Sequence, residues 1–208
     1  MNINSLLRIK KSMQILKKEK QLAIMNAAVD EFFEKGFARA SIRNIAQNAN
    51  VSTGNLYRYY KNKESLFESI TKPLAGDIEL LFALPVKHPG GSVDLKDALQ
   101  ILNGPFISLL IENRKLLLIL YDGSDGTPAA RFKEDWKHAI SQLFLMYISI
   151  YNHKFPAAPF DIRIANSAST SFLEGLMQIV REYEDPEDIK SLTMEIFRLY
   201  FYWRISED

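Results

Sequence analysis

The sequence has no cysteine, almost no net charge and no long apolar run, and each absence closes off a class of protein. Without cysteine there is no disulfide framework, thiolate nucleophile or thiolate metal site, so an intracellular, cytoplasmic home is expected. The apolar runs Leu116 to Leu120 and Leu143 to Ile150 fall short of the roughly 20 residues that cross a bilayer, so no membrane partner is expected. The first twenty residues mix Leu6, Leu7 and Ile9 with Arg8, Lys10, Lys11, Lys17 and Lys18, unlike a secretion signal. His88, His138 and His153 are scattered among residues that do not bind metals, and no metal is expected. A phosphate-binding glycine loop, a nucleophile elbow and a paired histidine and carboxylate at helical spacing are all missing, which argues against an enzyme and for no cofactor.

What is present is unevenly placed. The chain has 208 residues and a net charge of +1, yet residues 1–72 carry 13 Lys/Arg against 6 Asp/Glu, and residues 73–208 carry 13 against 19. A basic segment joined to an acidic one points to a polyanion as partner of the first part only.

Helical periodicity runs through the whole chain, and no stretch alternates as a half-buried strand does. Leu22, Ile24, Ala27, Ala28, Phe32 and Phe33 mark a helix from Lys18 to Lys35, stopped by Gly36. Ser41 caps a second helix, with Ile42, Ile45, Ala46 and Ala49 as its apolar stripe. Asn50 tolerates a left-handed turn, and Ser52 caps a third helix to about Tyr60. Asn62 caps a fourth from Lys63 towards Leu84, with Pro73 as a kink. A loop follows at Pro85 to Ser92, then helical patterns at Asp94 to Leu102, Pro105 to Glu112 and Arg114 to Tyr121. Beyond a loop at Asp122 to Thr127 come helices from Pro128 to His153, Asp161 to Glu184 and Pro186 to Ile205.

The stretch ASIRNIAQNANVSTGNLYRYYKNKESLF places two short capped helices about a tight turn, the arrangement of a helix-turn-helix. It resembles the tetracycline-repressor-like (TetR) family from about Leu22 to Phe67, through the I-A pair, the turn before Val-Ser, Leu-Tyr, an aromatic pair and Lys-Asn-Lys-Glu. Asn50 departs from that family's usual glycine, a mild change because Asn also accepts positive φ. A helical hairpin inside an unrelated bundle is the competing reading of such a stretch.

On the third helix, Thr53, Gly54, Asn55, Tyr57 and Arg58 lie on faces that Leu56 and Tyr60 do not need for packing. Thr53 and Asn55 are the candidates for base edges, with Gly54 permitting close backbone approach, Arg43 as the reader of guanine and Ser52 as cap. The resemblance assigns phosphate contacts to Ser41, Tyr57, Tyr59 and Lys63, which suits their hydroxyls and ammonium.

The expected architecture is therefore all-α: a basic leader at 1–17, a three-helix helix-turn-helix domain at 18–62 and a C-terminal helical ligand-binding and dimerisation domain at 63–208. The leader stands as a solvated terminus or as an extension of the first helix touching DNA backbone. Ile164, Ala168, Phe172, Gly175, Leu176 and Ile179, with Leu192, Ile196, Leu199, Tyr200 and Trp203, form more apolar surface than one stripe needs, and the resemblance implies a four-helix homodimer interface. Phe106, Tyr121, Trp136, Phe144, Tyr147 and Phe172 are candidates to line a pocket for an unidentified small-molecule effector. The expected function is that of a ligand-responsive repressor binding double-stranded operator DNA as a homodimer. The alternative is a protein of the same fold that is DNA-bound or a coactivator, without a small-molecule inducer.

Overall fold

The computed structural model describes residues 3–83 and 102–202. His88, Trp203, the loop at 85–92 and most of the helix expected at 94–102 lie outside the described residues. The described residues form helices, turns and loops with no strand. The α-helices are α1 (Ile3–Arg39), α2 (Ile42–Asn48), α3 (Thr53–Leu56), α4 (Lys63–Ala83), α5 (Ile107–Glu112), α6 (Arg114–Asp122), α7 (Phe132–Lys154), α8 (Ala165–Glu182) and α9 (Pro186–Phe197). Pro128–Arg131 and Ile162–Ile164 are 3-10, Leu102–Phe106 is π where two helical patterns were expected to meet, and Arg198–Tyr202 is π inside the helix expected to Ile205. The chain divides into two compact units, one of Met1–Pro73 with Ile119–Ala130, the other of Leu74–Leu118 with Arg131–Asp208. The first unit thus takes in residues 63–73 and a short segment from the middle of the expected regulatory half.

Within the first unit, α1 breaks at Gly36, whose φ of 66° is open to glycine at little cost. Its buried face carries Ile24, Ala27, Ala28 and Phe32. Leu22 and Phe33, expected on that face, lie roughly half a turn round from Ile24 and are exposed, Leu22 by 59%. Phe32, Phe37 and Phe67 meet at centroid distances of 5.1 to 6.0 Å, joining α1 to α4. Ser41 caps α2 by accepting from the Asn44 amide, and Asn50 at φ 53° turns the chain towards Ser52, which accepts from the Asn55 amide. The third helix is shorter than expected: past Leu56 the amides of Arg58 and Tyr59 bond three residues back, tightening the last turn, and Tyr60 is buried. Asn62 and Ser65 cap α4 reciprocally, each backbone amide donating to the other's side-chain oxygen, and α4 runs unbroken through Pro73.

Segment 119–130 is tied to this unit by its own backbone. The Phe37 N–H donates to the Gly123 carbonyl at 2.7 Å, and a side chain on Gly123 would meet the Ile119 carbonyl at 3.1 Å and the Gly36 Cα at 3.5 Å. The tight contact is with the Ile119 carbonyl in the same segment, whereas the approach to Gly36 is an ordinary van der Waals distance.

In the second unit α7 packs along α8, and α9 returns beside it. Asp185 caps α9 with Pro186 in its first turn. The Arg114 guanidinium closes the C-terminal end of α8 by donating to the Val180, Arg181 and Tyr183 carbonyls at 2.8 to 3.0 Å. An aromatic cluster fills this unit's core: Phe82, Phe106 and Trp136 at one end, Phe172, Phe197 and Phe201 in the middle, Phe144, Tyr147 and Tyr151 at the other.

Candidate nucleic-acid interface

The first unit sorts its side chains into two sets. Ile45, Ala46, Ala49, Leu56 and Tyr60 are buried, so the α2–α3 pair is held by apolar contacts on one side. Arg43, Ser52, Thr53, Gly54, Tyr57 and Arg58 are exposed on the other, and Ser41, Asn55 and Tyr59 are half-buried. Among the described residues neither carbonyl nor carboxylate holds the Arg43 or Arg58 guanidinium, and Tyr57 is 49% exposed. Nothing lies within 4 Å of where a Gly54 Cβ would stand, so the fold does not itself require glycine there. The Ser41 and Ser52 oxygens accept as helix caps, which leaves each hydroxyl proton to donate outward.

Lys63 differs from its expectation as a phosphate contact. Its Nζ points into the fold and donates to the carbonyls of Phe37 at 2.7 Å, Ala40 at 3.1 Å and Ala38 at 3.4 Å, while lying 4.4 Å over the Phe37 ring. All three ammonium donors are thereby engaged.

Two residues enter this region that periodicity alone did not single out. The Gln21 amide meets the Tyr60 hydroxyl at 3.5 Å. Glu31 is 4% exposed, and its carboxylate accepts from Lys35 Nζ at 3.0 and 3.1 Å, the Ser41 N–H at 3.0 Å and Asn44 Nδ2 at 3.4 Å. Burial alone would push the Glu31 carboxyl up; the Ser41 amide, Lys35 and Asn44 outweigh it and hold the group below the usual carboxylate value. The available signal was a carboxylate set within the apolar stripe of α1, one turn before a lysine.

In the second unit, Phe106, Trp136, Phe144, Tyr147 and Phe172 do come together as buried neighbours in the aromatic cluster. Tyr121 lies in segment 119–130, which is grouped with the first unit. Of the expected pairing residues, Phe172 and Leu176 are buried inside the unit and are corrected to core. Gly175 makes room for Ile196, whose Cδ1 would lie 2.7 Å from a Cβ there. Leu199 is 71% and Ile164 48% exposed, while Ala168, Ile179, Leu192 and Tyr200 are half-buried. An open polar groove of about 540 Å³ lies between α7 and α8, lined by Glu134, Lys137, His138 and Ser141 facing Asn166 and Thr170. Among the described residues no group of His, Cys, Asp or Glu is arranged to hold a metal ion, and no helix is long and apolar enough to cross a membrane.

Residues 24–70 match the family described as bacterial regulatory proteins, tetR family. The fatty acid metabolism regulator protein of Bacillus subtilis is 28% identical over 103 residues, covering 50% of this chain and 52% of that protein. The HTH-type transcriptional repressor KstR2 of Rhodococcus jostii is 23% identical over 141 residues, 67% of this chain and 61% of that protein. The chain thus spans about half to three fifths of the length of these curated relatives. The crystal structure of the transcriptional regulator FadR from Bacillus subtilis in complex with stearoyl-CoA matches in fold, with a TM-score of 0.55 over 87% of this chain and 97% of that one at 18% identity. The capped helices, the Asn50 turn and the outward polar face all fall inside the segment that matches the tetR family's regulatory proteins.

Proposed function

We infer that the protein is a ligand-responsive repressor of transcription, acting as a homodimer on operator DNA in the cytoplasm rather than as an enzyme. The observation that carries this reading is the outward set on the α2–α3 pair, where Arg43, Thr53, Gly54 and Arg58 are exposed beside a buried Leu56. A helix of this size enters a major groove about 12 Å wide; in this reading Arg43 pairs with guanine, Asn55 with adenine and Thr53 with either. Ser41, Tyr57 and Tyr59 hold phosphates and so fix register, with Ser52 shaping the N-terminus of α3. One such unit reads too few base pairs for high specificity, and a two-fold dimer reading two half-sites is the usual remedy. Exposed Ile164 and Leu199, in the turns that flank α8 and α9, with half-buried Ile179 on α8 and Leu192 on α9, support pairing through those helices.

The effector is expected to be largely apolar. The aromatic cluster of the second unit supports this, as do a relative named for fatty acid metabolism and a structural neighbour holding stearoyl-CoA. A long-chain acyl-CoA thioester is therefore the first ligand to test. Repression is relieved if the effector binds the DNA-free conformation more tightly than the DNA-bound one. Fluorescence anisotropy of a duplex selected by the protein from a randomised library tests both parts. Stearoyl-CoA should raise the dissociation constant about tenfold, the size of a typical allosteric coupling. Unaltered affinity across acyl chain lengths would remove this ligand class.

A further inference from the structure

The α1–α2 connection, Phe37 to Ser41, is held from two sides by side chains of opposite charge. On one side the buried Glu31 carboxylate takes the Ser41 N–H and the Asn44 side-chain amide, both at the start of α2. Lys35, one turn along α1, bonds both oxygens of that carboxylate and so neutralises and orients it. On the other side the Lys63 ammonium, at the first residue of α4, gathers the carbonyls of Phe37, Ala38 and Ala40. These carbonyls follow the break at Gly36, where the helical ladder of α1 is interrupted and its acceptors need new donors. The connection leads directly into Ser41 and Arg43, and α2 carries α3 through the Val51 N–H to Ala46 and Asn50 N–H to Gln47 bonds. A shift of the connection is therefore a shift of the whole polar face.

We propose that Glu31 and Lys63 are positioning residues for operator binding: a pair of charges that clamps the α1–α2 connection and presets where α2 and α3 meet DNA. The proposal rests on the DNA-binding reading above and assigns neither residue a contact with DNA. In this role Lys63 acts through carbonyls rather than through phosphate. Glu31 acts as an acceptor that a neutral amide replaces poorly, because one of its two atoms would be a donor facing the Lys35 ammonium or the Asn44 amide.

Charge and position give opposite signs, which makes the clamp testable. Neutralising a carboxylate in a DNA-facing unit removes repulsion and, by electrostatics alone, tightens binding. The clamp requires the reverse for Glu31→Gln. Loss of a phosphate contact makes the slope of log K against log salt shallower by about 0.9. The clamp requires that Lys63→Met weaken binding while keeping the wild-type slope.

The experiment titrates wild type, Glu31→Gln, Asn44→Ala and Lys63→Met against a duplex selected by the wild-type protein, over a series of salt concentrations, with circular dichroism confirming that each is folded. Wild-type binding establishes the DNA-binding reading, and its absence overturns that reading before the clamp is reached. Given that binding, the clamp predicts a loss of roughly tenfold for Glu31→Gln and Lys63→Met, comparable to one mismatched base pair, with a smaller loss for Asn44→Ala. Should Glu31→Gln fail to fold, Asn44→Ala and Lys63→Met decide. Tighter or unaltered binding in Glu31→Gln or Asn44→Ala overturns the clamp, and so does a shallower salt slope in Lys63→Met.

Discussion

The two units solve the burial of polar groups differently. In the first, a buried carboxylate and an inward ammonium are matched to the backbone ends that the helix break at Gly36 and the α2 start leave open. In the second, the core is mostly a sheet of touching rings, Phe106, Phe172, Phe197 and Phe201 among them, and the Arg114 guanidinium sits at a helix end. Directional bonds fix one geometry, whereas ring packing admits several of similar energy. That contrast suits the division proposed above, between a rigid DNA-binding unit and an adaptable ligand-binding one.

The comparison is broken most forcefully by removing one ring from each core. Phe67 is fully buried against Phe32 and Phe37, and Phe67→Ala should cost about 3–5 kcal/mol in the first unit. Phe172→Ala should cost a similar amount, about 3–5 kcal/mol, in the second. Scanning calorimetry should show each variant lowering chiefly one unit's transition; equal effects on all transitions would deny the units separate cores.

A smaller effect sharpens the reader itself. Arg43→Ala or Asn55→Ala should cost on the order of 1–3 kcal/mol of duplex affinity and relax preference at one base position. Titration against duplex variants at fixed salt measures this, and equal loss on every sequence would remove the base-reading role.

The smallest effect is the acid limb of stability. Because the folded Glu31 carboxyl lies below its ordinary value, its contribution is complete above the unfolded value and is lost as pH falls through the folded one. Melting midpoints of wild type and Glu31→Gln should differ at neutral pH and converge in acid. A constant difference across that range would contradict the ionised role.

The helix-turn-helix was legible because its signals are local. Ser41, Ser52 and Asn62 each cap a helix, and Asn50 takes the positive φ that its position in the turn demands. Glu31 and Lys63 were not legible in the same way, since their partners lie ten and more than twenty residues distant. Periodicity assigns a face to a helix but not what covers it, which is why Phe172 and Leu176 were expected at a pairing surface and lie in the core. Tyr121, grouped in the sequence with the second half's aromatics, lies in the Ile119–Ala130 segment of the first unit.

The central claim, that two copies of this α2–α3 face read DNA, is tested most directly by selecting duplexes from a fully randomised library with the purified protein and sequencing those retained. The account predicts an enriched inverted repeat whose half-sites are a whole number of helical turns apart, roughly 10–10.5 base pairs per turn. Retained duplexes without any shared sequence would contradict it.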